Sequence, residues 1–220
     1  MRCVRVWFKK MGMSRYVSHL DLMRAMTRAV RRADIPLWYT EGFNPHPYLT
    51  FALPLSLGME SLYESMDIRI EGDSTNAEIF ELLKGSMPPG IEIISVDDPV
   101  DDPKTIAFGE FDLLFDCENP VKLISHIEAM LSGSELIVQK MGKQGRRKVL
   151  KDINLLEFLK SYDLSSASNR VKLTVVFPAG STTNINPTLL SDEIEKTFGE
   201  NIISFVVRKR LMKADMENFR

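Results

Sequence analysis

Cysteine and histidine are scarce in this sequence, with two of the first and three of the second among 220 residues. Cys3 and Cys117 stand alone, without the CxxC spacing of a zinc or redox site. The CxxxCxxC run that holds a radical-generating iron–sulfur cluster is missing, so no cofactor is expected on this chain. Long apolar stretches are missing as well. No run approaches the roughly 18–20 residues of a membrane span, and no membrane partner is expected. Met1–Phe8 alternates like a strand and has neither the apolar block nor the small-residue cleavage site of a signal peptide. The phosphate loop GxxxxGK[ST] is also absent, which excludes an NTPase of that type. A cytoplasmic protein is the expectation.

What is present is charge, unevenly spread. The formal net charge is -2, yet residues 1–52 hold nine Lys/Arg against three Asp/Glu, and residues 53–107 hold three against twelve. A pI near 6.0 argues against indiscriminate nucleic-acid coating. A local basic face still suits a polyanion. Hydrophobic residues make up 44% of the chain, enough for one large core or two small ones.

The periodicities predict a repeated order of elements. Arg2–Lys10 alternates as a half-buried strand. Ser18 opens a helix through a Ser-x-x-Asp cap with Asp21, and Pro36 stops it near Asp34. Strands at Tyr48–Leu55 and Ser65–Glu71, a helix at Asn76–Lys84 and a strand at Ile91–Val96 complete a β-α-β-β-α-β unit. Residues 97–103 read as an acidic, proline-broken linker. The order then recurs: a strand at Glu110–Cys117, a helix at Pro120–Leu131 and strands at Glu135–Met141 and Arg170–Pro178. A helix at Pro187–Phe198 and a strand at Ile202–Lys209 close it, with an insertion of helical pattern between Val149 and Leu164. The fold class expected is α+β, two tandem ferredoxin-like (βαββαβ) domains with antiparallel sheets. The first covers residues 1–97 and the second residues 106–220.

Three groups of residues stand out. On the first helix Arg24, Arg28 and Arg31 share a narrow sector at 100° per residue, with Asp21 and Arg32 beside it, while Met23, Met26, Val30 and Ala33 lie opposite. Such a face is either solvated, with Asp21 paired to arginines, or a grip for phosphate. Arginine in every basic position favours the grip, because its planar fork holds phosphate bidentately. The turn Thr40–Pro47 fixes its backbone with Pro45 and Pro47 around His46 and admits a positive φ at Gly42. His19, Asp21 and His46 form a candidate metal site of two imidazoles and a carboxylate. A basic loop from Lys140 to Lys151, including Lys143, Arg146 and Arg147, contains no acid except Asp152 just beyond it.

The spacing Lys10-x-Gly12-x-x-Arg15-Tyr16-x-Ser18-His19-Leu20-Asp21-Leu22, with Arg28-Ala29-x-Arg31-Arg32-Ala33 and Gly42-Phe43-Asn44-Pro45-His46-Pro47, resembles the uncharacterised radical SAM-linked protein family. Ala52-Leu53-Pro54-Leu55-x-x-Gly58-x-Glu60-Ser61 extends the likeness. The resemblance implies a bacterial protein encoded beside, or fused to, a radical SAM protein. That partner would carry the iron–sulfur cluster and S-adenosylmethionine.

Three functions follow as expectations. The first is a non-catalytic module that presents structured RNA, rather than DNA, to the radical SAM partner. Arg15, Arg24, Arg28, Arg31, Arg32, Lys143, Arg146 and Arg147 would bind phosphate there, and Tyr39, Phe43 and His46 would meet bases. The second is a metal-independent endoribonuclease with His19 as general base, supported by Tyr16 or Arg15. The third is a protein-interaction adaptor that docks through the acidic segment Asp97–Asp102. The opening region is expected to bring Arg15, His19, Arg28 and His46 to one pocket.

Overall fold

A computed structural model of the chain describes residues 1–144 and 147–220. Among them are ten strands and four α-helices in a mixed α+β arrangement with a mostly antiparallel sheet. No helix among the described residues is long and apolar enough to cross a membrane. The residues fall into two compact units, one made of Met1–Ile106 with Arg208–Arg220, the other of Ala107–Val207. The sequence places its second domain at 106–220, whereas Arg208–Arg220 belongs with the first unit.

In the first unit, β1 (Arg2–Lys10) is followed by a 3₁₀ turn (Gly12–Tyr16) and α1 (His19–Arg32). Then come β2 (Leu49–Phe51), β3 (Glu60–Ile70), α2 (Asn76–Lys84) and β4 (Ile91–Asp97). β1 lies between β4 and β3, and β2 pairs with β3 through Leu49–Ile68 and Phe51–Met66. Val4, Val6 and Phe8 point to one side of the sheet and are fully buried against Leu22, Met26 and Val30 of α1 and Ile79 and Leu83 of α2. Each such side chain contributes about 1.5–3 kcal/mol on burial.

The alternation of β1 suggests a solvated second face, but that face is covered too. Arg5 and Trp7 are buried, Arg5 at 1% exposure. Arg5 forms a two-pronged ion pair with Asp67 at 2.7 and 2.8 Å and donates to the carbonyls of Asp101 and Arg220. The Phe219 ring lies 4.5 Å from its guanidinium carbon. Arg208 likewise reaches Glu64 at 2.6 and 2.9 Å, both side chains buried. The Arg208–Glu64 pair and the contacts of Arg5 with Phe219 and Arg220 tie Arg208–Arg220 to the first unit.

The helix starts as its cap dictates. Ser18 Oγ accepts from the Asp21 amide at 3.2 Å and donates to the Asp21 carboxylate at 2.7 Å. At its far end Asp34 takes a left-handed φ of 54° and its amide donates to the Arg31 carbonyl. Aspartate tolerates that geometry better than most residues. Thr75 and Glu78 cap α2 reciprocally.

The second unit holds β5 (Ile106–Asp116), α3 (Pro120–Leu131), β6 (Ile137–Gln144), β7 (Arg147–Asn154), β8 (Ser161–Ala167), β9 (Arg170–Pro178) and α4 (Thr188–Phe198). It also takes the start of β10 (Ile203–Lys213). Here β5 lies between β10 and β9, with β8 outside β9, while β6 and β7 form a separate two-stranded ribbon. The helical insertion expected at Val149–Leu164 is instead strand, apart from one 3₁₀ turn at Leu155–Glu157. Leucines and a phenylalanine at helical spacing suggested a longer helix. Asn154 holds the single turn by accepting from the Leu136 and Leu156 amides, and the Lys160 amide then joins the Val176 carbonyl and starts β8. The strand that pairs with β9 is therefore β8, and the inserted piece is the β6–β7 ribbon.

Candidate functional site

The first unit carries a groove of about 610 Å³ between α1 and the segment Thr40–Thr50. Leu20, Met23 and Thr27 line the helix side together with Arg24, Arg28 and Arg31. Thr40, His46 and Pro47–Thr50 line the other. The rise of about 1.5 Å per residue places Arg28 roughly 6 Å from Arg24 along the axis, and Arg31 roughly 4.5 Å further. No acidic residue lines the groove.

Backbone pairing holds the second wall in place. The Trp38 amide donates to the Arg69 carbonyl, the Tyr48 amide to the Trp38 carbonyl, and the Arg69 amide to the Tyr48 carbonyl. Isolated bridges join Leu37 to Ile70 and Tyr39 to Pro47. The Arg69 guanidinium lies over the rings of Tyr48, at 4.1 Å, and Trp38, at 5.3 Å. Residues 41–45 are thereby pinched into a short loop, closed by the Thr40 amide donating to the His46 carbonyl at 2.9 Å. Gly42 sits at a φ of 128°, which a residue with a Cβ rarely adopts.

The arginines differ in their partners. Arg24 pairs with Asp21 at 3.1 Å, and the Asp21 carboxyl is held below the usual carboxylate range by Ser18 first and Arg24 second. Arg31 lies over the Tyr39 ring at 5.6 Å and has no acidic partner among the described residues. Arg28 has neither an ion pair nor a hydrogen bond among them. Two exposed guanidiniums without a counter-charge, facing an apolar floor, make a receptor for an anion.

Several sequence expectations land elsewhere. Arg32 leaves the groove and donates to the Ser86 carbonyl at 2.7 Å, tying α1 to the loop after α2. Arg15 pairs with Glu60 at 3.6 Å and covers Tyr16, while Gly12 donates to the same Glu60 and Gly58 to the Arg15 carbonyl. The Lys10–Arg15 and Gly58–Ser61 motifs thus join each other rather than line the groove. His19 packs edge-on against Phe51, its ring centroid 5.3 Å away, and is not a groove residue. The convergence expected for Arg15, His19, Arg28 and His46 holds for Arg28 and His46 only. No three His, Cys, Asp or Glu side chains among the described residues are grouped to hold a metal ion. The His19, Asp21 and His46 set is therefore not assembled: Asp21 is taken by Ser18 and Arg24, and His46 by its own turn. Tyr16, offered as a support for general-base chemistry, is exposed beneath Arg15. Tyr39 is exposed beside the groove, and Phe43 stands fully in solvent at the loop tip.

Thr40 was not singled out from the sequence, yet it orients His46. Its Oγ1 lies 3.1 Å from His46 Nδ1 and accepts from the His46 amide. The signal was available, since Thr40 and His46 bracket a loop stiffened by Gly42, Pro45 and Pro47.

The second unit has its own basic feature. In the β6–β7 ribbon Lys140 lies opposite Lys151, an arrangement that costs stability when no anion is near. Gly142 makes room for the Lys151 stem, whose Cδ would lie 3.1 Å from an added Cβ. Arg146 lies outside the described residues, as do the side chains of Lys143 and Arg147. Another hollow, at Asp116–Glu118 and Ala167–Arg170, offers no free cation, because its arginine, Arg170, is bound to Asp116 at 2.6 and 2.8 Å. Cys3 and Cys117 are free thiols, both pushed up in pKa by burial.

These features define a mixed α+β protein whose first unit presents an arginine-walled groove closed by a stiffened histidine turn. The chain belongs to the family described as an uncharacterized protein conserved in bacteria (DUF2344), matched over residues 3–187. No curated protein matches it. Among solved structures it is similar to a chain of a Cbf5–Nop10–Gar1 complex, with a TM-score of 0.50 and 11% identity over 96% of this chain and 50% of that one. The chain thus spans about half the length of that relative. It is also matched by an unknown protein from Galdieria sulphuraria, with a TM-score of 0.28 and 14% identity over 94% of this chain and 98% of that one. At 11% identity the first likeness concerns fold alone.

Proposed function

We propose that the chain is a non-catalytic RNA-binding accessory module. It acts in the cytoplasm with a radical SAM enzyme in RNA modification, and that partner brings the iron–sulfur cluster and S-adenosylmethionine. The observation that carries the RNA reading is the pair Arg28 and Arg31, which line one groove with His46 and have no acidic partner among the described residues. A helix that needed these arginines only for solubility would balance them with acids at i±3 or i±4, as Asp21 balances Arg24 at i+3. The like-charge pair of Lys140 and Lys151 in the β6–β7 ribbon favours the same reading for the second unit. The radical SAM partnership rests on the sequence motifs from Lys10 to Ser61. Our finer reading of the fold, two tandem ferredoxin-like domains, is supported by strand orders β4-β1-β3-β2 and β10-β5-β9-β8.

Phosphate contacts release counterions, so affinity for RNA is expected to fall steeply with salt. Replacing Arg28 and Arg31 together with Gln is expected to weaken binding across sequences. It should also flatten the plot of log affinity against log salt by roughly two units. Fluorescence anisotropy on a labelled RNA hairpin over a salt series measures both. A double variant that binds like the wild type at low salt removes the phosphate role and leaves protein adaptor as the better reading.

A further inference from the structure

His46 lines the same groove as the two guanidiniums that have no acidic partner among the described residues, and its ring is fixed in a way that decides what it can bind. Nδ1 lies 3.1 Å from the Asn44 carbonyl oxygen and 3.1 Å from Thr40 Oγ1. A carbonyl oxygen only accepts, so a neutral ring must carry its proton on Nδ1 and donate it there. The Thr40 hydroxyl oxygen has two lone pairs, so it can accept from the His46 amide and also share the Nδ1 proton. Nε2 is left as a bare acceptor on the opposite side of the ring. No hydrogen bond to it is formed by any described residue. The ring itself is exposed and lines the groove.

The groove therefore offers two kinds of recognition side by side: guanidinium donors for an anion and one oriented acceptor for a ligand hydroxyl or amine. A ribonucleotide carries that combination within one residue, a phosphate and a 2′-hydroxyl that can donate. A deoxynucleotide lacks that hydroxyl and has only base groups to donate. At about 610 Å³ the groove is of a size to take a single small-molecule-sized unit, not a duplex. An unpaired nucleotide is also the form in which RNA exposes its edges to proteins.

Resting on the RNA-binding reading above, we infer that the groove takes one unpaired ribonucleotide, its phosphate on Arg28 and Arg31 and its 2′-hydroxyl donating to His46 Nε2. The groove thereby tells RNA from DNA. Thr40 and the Asn44 carbonyl act as positioning groups, since they fix which ring nitrogen is bare. Replacing Thr40 leaves the carbonyl contact, whereas replacing His46 removes the acceptor altogether.

The test uses the full chain and two probes, an RNA hairpin with a uridine loop and the same hairpin with 2′-deoxyuridine in the loop only. The stems are identical, so the two differ only in the loop hydroxyls. Wild type is expected to bind the ribose-loop probe about tenfold more tightly, the size of one net hydrogen bond at its upper end. His46→Ala is expected to bind both probes alike, at the level wild type shows for the deoxy loop. Arg28→Gln is expected to weaken both probes and keep their ratio. Equal binding of the two probes by wild type overturns the ribose assignment and leaves the phosphate grip standing. A preference that persists in His46→Ala overturns the role of that ring. Binding of neither probe overturns the RNA reading and this inference together. Nitrogen chemical shifts of the His46 ring supply an independent readout. In the neutral ring a proton on Nε2 rather than Nδ1 would falsify the acceptor geometry.

Discussion

Lys10 is a charged side chain at 1% exposure, and its surroundings are of mixed sign. Its ammonium donates to the Met59 carbonyl at 3.4 Å, a long bond for a group cut off from water. Burial pulls its pKa below the ordinary lysine value of 10.5; Glu64 opposes that shift, and Arg208 adds to it. The folded chain thus gives up this proton at a lower pH than the unfolded chain does. Between the two values the unfolded state binds more protons, so stability rises with pH there. Urea unfolding from neutral pH towards pH 10.5 is expected to show that rise, and Lys10→Met is expected to flatten it. A slope that Lys10→Met leaves unchanged would assign the rise to another group. Neither Lys10 nor Arg5 could be read as buried from the sequence. Arg5 sits where alternation along β1 points a polar residue outward, Lys10 follows a register shift after Phe8, and the residues that cover Arg5 include Phe219, more than two hundred residues away in sequence.

Helices were the most legible elements, because their signals are local. α2 and α3 occupy the expected residues 76–84 and 120–131, and α1 starts at its Ser18 cap. The end of α1 offers a direct check, since Asp34 holds a left-handed backbone at a φ of 54°. Glycine adopts that conformation without a Cβ penalty. Asp34→Gly is expected to stabilise the chain by about 0.5–1 kcal/mol, read as a higher urea midpoint with unchanged slope. A lower midpoint would mean that the Asp34 side chain contributes more than its backbone strain costs. Strands were less legible. β3 extends from Glu60 where Ser65 was expected, because the residues before Ser65 are paired through long-range partners such as Arg208. The groove was half legible for the same reason. Helical spacing brought Arg24, Arg28 and Arg31 together, but the diversion of Arg32 to Ser86 and of Arg15 to Glu60 depends on loops distant in sequence.

For the whole molecule the governing fact is that the first unit is discontinuous in sequence. It is left after Ile106 and resumed at Arg208, with all of Ala107–Val207 in between. A fragment of residues 1–106 would keep α1, α2 and the groove residues but lose Arg208 and Phe219. Glu64 would be left as a buried carboxylate without its partner, a change worth about 3–5 kcal/mol in comparable sites. Arg5 would also lose the ring that covers it. Set against a typical domain stability of about 5–15 kcal/mol, that loss is large. The fragment is expected to show little protection of β1 and β3 amides from hydrogen exchange, whereas the full chain protects them. Strong protection in the fragment would show that the closing residues are dispensable. The same discontinuity sets an order of events during synthesis. Residues emerge from the ribosome at about 5–20 per second, so the amino-terminal half waits on the order of ten seconds for Arg208. The segment from Arg208 onward completes a unit begun before Ala107, and the inserted unit has all its residues before its host does. In the interval Glu64 has no guanidinium to meet its carboxylate.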